Sequence, residues 1–255
     1  MLFLILLFFI FGSAIGSFLN VVVDRTVRGE GLGGRSYCDW CHVKLTAVDL
    51  VPIFSFLVLG ARCRRCHKKL SWQYPIVEGL SGLLFAVAFW NVVQMGLFSV
   101  YFLFYSLLLV TVLIVVAVVD FKYSLIPTTY IYGLSIVALF YNYLSLPSYD
   151  FVMRVMAGFL AAAFFILIIV ITRGRGMGEG DIPLAFLIGL VLGPINGMLA
   201  FFLAFLSGAI VSIFLIIFRY KNIGQAVPFA PFLIFGFFAA FFWASPLVHW
   251  YLMLY

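Results

Sequence analysis

Hydrophobic residues along this chain come in long unbroken runs, and each run ends in a short group of glycine, proline or charged residues. An apolar run of about 20 residues is long enough to cross the hydrocarbon core of a bilayer as a helix, which satisfies its own backbone there. The pattern predicts eight spans, at about residues 2–23, 76–95, 99–119, 126–146, 151–172, 182–198, 199–218 and 231–251. Only Gly193-Pro194-Ile195-Asn196-Gly197, a very short turn, separates the sixth from the seventh. One polar stretch, 24–75, is long enough to fold outside the membrane. The expected fold is an all-α polytopic membrane protein, with a first transmembrane helix at 1–23, a cysteine-rich loop at 24–75 and a transmembrane bundle at 76–255. A β-barrel would instead alternate apolar and polar positions.

Charge orients these spans. Of the fifteen Lys and Arg, nine lie between Arg25 and Lys69, so the net charge of +6 reads as positive-inside topology and not as a nucleic-acid surface. No basic residue precedes the first apolar run, which therefore does not resemble a cleaved secretory signal. The N-terminus is expected outside and the 24–75 loop in the cytoplasm. Alternation from there puts Lys122, Arg173, Arg175, Arg219 and Lys221 on the cytoplasmic side and leaves only Arg154 outside. Asp120 and Asp181 fall on the cytoplasmic side as well. The thirty-one Phe read as lipid-facing and packing residues.

The loop holds all four cysteines, as Cys38-Asp39-Trp40-Cys41 and Cys63-Arg64-Arg65-Cys66, with 21 residues between the pairs. Two such pairs suit tetrahedral Zn²⁺ bound by four thiolates, a closed shell that serves structure and not catalysis. A reducing cytoplasm argues against disulfides, and so short a loop has little core of its own. Redox-active dithiols are the competing reading. His42 and His67, each directly after a cysteine, are expected to be bystanders.

Candidate chemistry rests on two aspartates. Asp181 closes the glycine-dense stretch Arg173-Gly174-Arg175-Gly176-Met177-Gly178-Glu179-Gly180 at the mouth of an apolar helix, and Asp120 closes the apolar run Thr111 to Val119. Ionisable residues in such positions are functional candidates. Two carboxyl groups a few Å apart do not readily both ionise, so one keeps a proton while the other stays anionic, which is an acid–base pair. Asp181 has a plain alternative as a helix N-cap, with Pro183 in the first turn, and Asp120 as a solvated helix-end carboxylate. Gly176, Gly178 and Gly180 would let the loop approach an extended peptide. No HExxH or GxSxG pattern offers a different hydrolytic set. Glu78, about one turn inside the second span, is costly unless paired or wet.

Taken together and in order, several stretches resemble the type IV prepilin peptidase family of GxGD aspartic membrane proteases. They are Gly16-Ser17-Phe18-Leu19-Asn20-Val21-Val22, Asp49, Pro52, both CxxC pairs, Gln73-Tyr74-Pro75-Ile76-Val77-Glu78, Asp120 with Ile126-Pro127, Gly178-Glu179-Gly180-Asp181, and Pro228-Phe229-Ala230-Pro231-Phe232. The resemblance implies a bacterial inner-membrane enzyme in which Asp120 and Asp181 remove the basic leader of prepilins or pseudopilins, with Gly178, Glu179 and Gly180 as the substrate loop. It also implies N-methylation of the new N-terminus with S-adenosylmethionine, with the cysteine loop and Glu78 as candidates for that site. The chain departs from the family at Pro183, where a Lys is usual, and at Arg25-Thr26-Val27, where Arg-Leu-Pro is usual. The alternatives are a preflagellin-type or presenilin-like GxGD peptidase with another substrate, a membrane thiol oxidoreductase using the CxxC pairs, and a small transporter using both aspartates as ion sites.

Overall fold

The computed structural model describes residues 1–31, 33–94, 99–174, 177–218 and 227–252, with the backbone alone for 244–252. Arg175, Gly176, Arg219 and Lys221, which entered the topology and loop expectations, lie outside the described residues. Among the described residues, eight α-helices follow in order: α1 Leu2–Arg28, α2 Phe54–Val58, α3 Gln73–Gln94, α4 Val100–Tyr123, α5 Thr128–Ser145, α6 Ser148–Thr172, α7 Asp181–Ile217 and α8 Ala230–Leu252. Five of them, α1, α3, α4, α6 and α7, are long and apolar enough to cross a membrane. The apolar runs do form helices, and much of their hydrophobic surface is exposed, as at Phe104, Leu160 and Phe202, where lipid would be the solvent.

The chain divides into two compact units, Met1–Val118 and Val119–Tyr255. In the first, α1 packs along α3. The α1 helix continues to Arg28, past the expected end at residue 23, and Gly29 ends it in a left-handed conformation at φ 68°. Arg25 explains the extension: its buried guanidinium donates to the carbonyls of Gly31, Gly33 and Arg35, so the chain leaving the helix wraps around its last turn. Asn20 joins the two helices by donating to the carbonyls of Gly16 and Tyr74 and accepting from Gln73. At the same end, the Tyr74 hydroxyl donates to Asp24 and Asp39.

In the second unit, α7 packs against α6 and α8 and, over a shorter length, against α5. It is continuous by hydrogen bonding but breaks at Gly193, whose φ of 76° and ψ of −173° are open only to glycine. The reversal is sharp. A Cβ on Gly197 would stand 3.8 Å from the Cα of Gly189, residues a straight helix would hold about 12 Å apart. The division expected at residue 198 therefore falls at Gly193, and Pro194 opens the second arm. Pro194 has no N–H for the Leu190 carbonyl, and Asn142 of α5 supplies a donor at 2.8 Å. The neighbouring Val191 carbonyl accepts from Arg154 of α6. Arg154, the one basic residue expected outside, thus staples a helix break. Phe165, Phe201, Phe205 and Phe229 form a continuous aromatic contact between α6, the second arm of α7 and the start of α8.

Candidate active site

The α4 helix runs to Tyr123, so Asp120 sits in its last turn and not beyond its end. A carboxylate faces the negative end of the helix dipole there, an unfavourable place without compensation. Compensation comes from α8: the N–H of Ala230, its first residue, donates to Asp120 Oδ2 at 3.2 Å. The chain then turns at Ser124, whose N–H donates to the Asp120 carbonyl at 2.8 Å and whose φ is 52°. Pro127 precedes α5.

Asp181 is the first helical residue of α7, and Gly180, not Asp181, occupies the cap position. Its side chain turns back into the loop, where Oδ2 accepts from the Gly178 N–H at 3.3 Å. Oδ1 is buried and has no hydrogen-bond partner among the described residues. Asp120 and Asp181 are 5% and 3% exposed.

Both carboxylates open on one cavity of about 940 Å³. Gly178, Glu179 and Gly180 form part of its wall, and Pro183 lines it as well, so the position where a Lys was expected presents no charge. Ile126 and Phe229, from two of the matching segments, form an apolar face with Tyr132 and Ile166, which the sequence did not single out. Gly180 is fixed by close approach, because a Cβ there would stand 2.8 Å from Cβ of Ile126. Ala230 was legible only as part of the Pro228-Phe229-Ala230-Pro231 segment, because the group that acts is a main-chain N–H.

Within the first unit, the four cysteines converge. All four Sγ atoms lie within 4.8 Å of one another, and Cys38 Sγ to Cys66 Sγ is 3.9 Å. Four thiolates at about 2.3 Å from a tetrahedral Zn²⁺ would be about 3.8 Å apart, so the set fits the ion. The two pairs occupy equivalent turns, closed by bridges between Tyr37 and Lys44 and between Arg62 and Lys69. In each turn the N–H of the following histidine donates to the first cysteine carbonyl, and His42 and His67 take left-handed φ values of 52° and 53°. Histidine tolerates that conformation better than most residues, which accounts for both positions without metal ligation.

Backbone N–H groups of Cys66 and Arg65 hold the Cys63 thiol down to about 7, while burial pushes Cys38 up to about 11. Ion pairs brace the turns: Arg28 reaches Asp39 at 2.7 Å and Arg64 reaches Asp49 at 2.8 Å. The Thr46 hydroxyl, with its own N–H and then Arg64, holds the Asp49 carboxyl below the usual range.

Glu78, 7% exposed on α3, accepts from the Ile53 N–H at 2.7 Å. Its carboxylate ties the loop to the helix.

Fold and cavity define a polytopic helical membrane protein with two buried carboxylates at one opening. Residues 107–213 match the model of the type IV leader peptidase family, and residues 10–92 match that of the bacterial peptidase A24 N-terminal domain. The chain is 33% identical to a prepilin leader peptidase/N-methyltransferase of Bacillus subtilis, over 96% of each chain. It is 32% identical to one of Aeromonas salmonicida, over 96% of this chain and 93% of the relative, and 29% identical to one of Legionella pneumophila, over 95% and 92%. No solved structure matches. The chain belongs to the type IV leader peptidase family.

Proposed function

We propose that this protein is a membrane-embedded aspartic peptidase that cleaves the leader from type IV prepilins or pseudopilins, and that it methylates the N-terminus so exposed. The observation that carries the reading is the pair of buried carboxylates that line one cavity. Such a pair holds one proton between two groups, which is what amide hydrolysis by a general base and a general acid needs.

Cleavage follows from the chain's own groups. One carboxylate draws a proton from water as its oxygen bonds to the scissile carbonyl carbon, and the protonated partner donates to the carbonyl oxygen. Gly178, Glu179 and Gly180 line the approach as the substrate loop, with the apolar wall of Ile126, Ile166 and Phe229 beside it. That combination suits a substrate whose cleavage site adjoins a hydrophobic helix. A prepilin enters the inner membrane with its basic leader in the cytoplasm, so the orientation proposed for this chain, N-terminus outside, puts both aspartates on the side of the leader.

The four thiolates would hold a structural Zn²⁺ that fixes the cysteine loop and leaves no ligand position for catalysis. S-adenosylmethionine would supply the methyl group for the new amine, and Glu78, through its hold on Ile53, is the candidate positioning residue. The test is leader removal from a prepilin in detergent by the parent and by Asp120→Asn and Asp181→Asn. Loss in both variants supports the reading, and cleavage that survives either sinks it.

A further inference from the structure

We infer that Asp120 is the carboxylate that activates water and Asp181 the one that carries the proton, and that the Ala230 N–H is the positioning group that separates these roles. The inference rests on the aspartic-peptidase reading and goes beyond it, since a pair of carboxyl groups does not by itself say which is which.

The two sites differ in what they offer a negative charge. Asp120 Oδ2 accepts from the first N–H of α8, a 23-residue helix. The opening N–H groups of a helix have no acceptor within it and carry the positive end of its dipole, so they favour an anion. Asp181 has a weaker shell. Oδ2 accepts from Gly178 at 3.3 Å, and Oδ1 is buried with no partner among the described residues. A bare buried oxygen costs more on an anion than on a neutral carboxyl group, so it favours the protonated form.

Among the described residues around the cavity, the other titratable groups are Glu179 in the loop before α7 and Tyr132 on α5; the described lining residues of α6 and those just before α8 include none. Lys122, near Asp120 on α4, has its ammonium 5.0 Å from the Tyr123 ring. The difference between the two carboxylates that the described residues show lies in their main-chain donors.

With these roles the reaction balances. Asp120 takes one proton from water while the water oxygen bonds to the carbonyl carbon, and Asp181 gives its proton to the carbonyl oxygen. As the C–N bond breaks, Asp181 recovers a proton from the diol hydroxyl and Asp120 passes its proton to the leaving nitrogen. Both carboxyls return to their starting states.

Ala230→Pro deletes the N–H at the first helical position, where proline is well tolerated in a helix. Loss of a hydrogen bond to a charged group is expected to lower kcat about 10- to 100-fold with KM little changed. The acidic limb of the kcat/KM profile should move to higher pH. Ala230→Gly, which keeps the N–H, should recover most of that loss. A parallel fall with Gly, or an unmoved acidic limb with Pro, contradicts the positioning role.

A second measurement does not depend on how the proline variant folds. Infrared difference spectra of the protein with ¹³C-labelled aspartate should show a protonated-carboxyl C=O band that persists in Asp120→Asn and disappears in Asp181→Asn. Any other pattern, including no band in the parent, overturns the assignment. A parent that cleaves prepilin with the wrong band pattern refutes these roles alone, whereas a parent that does not cleave refutes the underlying reading.

Discussion

Asn142 on α5 donates its side-chain amide to the carbonyl of Leu190, the acceptor that Pro194 leaves without its helical donor. Both groups are buried, so the bond compensates for a proline inside an apolar bundle where no water can. Asn142→Leu is therefore expected to destabilise the protein by about 1–3 kcal/mol, the cost of one buried unsatisfied carbonyl. Thermal unfolding in detergent checks this, and an unchanged midpoint would show that the carbonyl finds another donor.

Gly180 and Gly178 border the same cavity but differ in the space beside them. A Cβ on Gly180 meets Ile126 at 2.8, 3.0 and 3.2 Å, whereas one on Gly178 meets only Asp181 Oδ2, at 3.9 Å. Gly180→Ala is expected to cost about 1–3 kcal/mol of overpacking and most of the cleavage rate. Gly178→Ala should be much milder. Steady-state cleavage by the two variants distinguishes them, and equal losses would contradict the packing argument.

The cysteine cluster predicts one zinc per chain, measured by elemental analysis of purified protein. Zinc binding displaces thiol protons, so acidification should release the ion and a chelator should lower the unfolding temperature. A zinc-free protein with a reversible dithiol titration would favour the oxidoreductase reading of the two pairs.

Asp49 gives a second pH dependence. Its folded carboxyl lies below the ordinary range because of Thr46 and Arg64. Its contribution to holding the loop is complete above the unfolded value of about 4 and is lost as pH falls through the folded value. Asp49→Asn should remove that acid-dependent loss, and hydrogen exchange over 44–66 at low pH would reveal it. The Arg64 partner is half solvent-exposed, so the effect should be small.

The helical membrane fold was legible in the sequence because apolar runs report directly on a lipid environment. So were the convergence of Cys38, Cys41, Cys63 and Cys66, a spacing that four-ligand geometry dictates, and the short turn after Leu192. What escaped was carried by the backbone. Composition does not show that Arg25 would bind three carbonyls and prolong α1, that Asn142 and Arg154 would fill acceptors freed at a helix break, or that an alanine N–H would face Asp120. Arg154 looked like an exception to a charge rule, and its role follows from the helix break at Gly193. Part of the apolar wall of the cavity was equally hidden, since Ile166 read like any other residue of an apolar span.

The central claim is that Asp120 and Asp181 together cut a prepilin leader. Mass spectrometry of a prepilin incubated with the detergent-solubilised protein tests it most directly, with and without S-adenosylmethionine and beside Asp120→Asn and Asp181→Asn. The account predicts leader loss with the parent, none with either variant, and a further gain of one methylene mass only when S-adenosylmethionine is present. Leader loss that persists in either variant, or an intact prepilin beside well-folded parent protein, would contradict it.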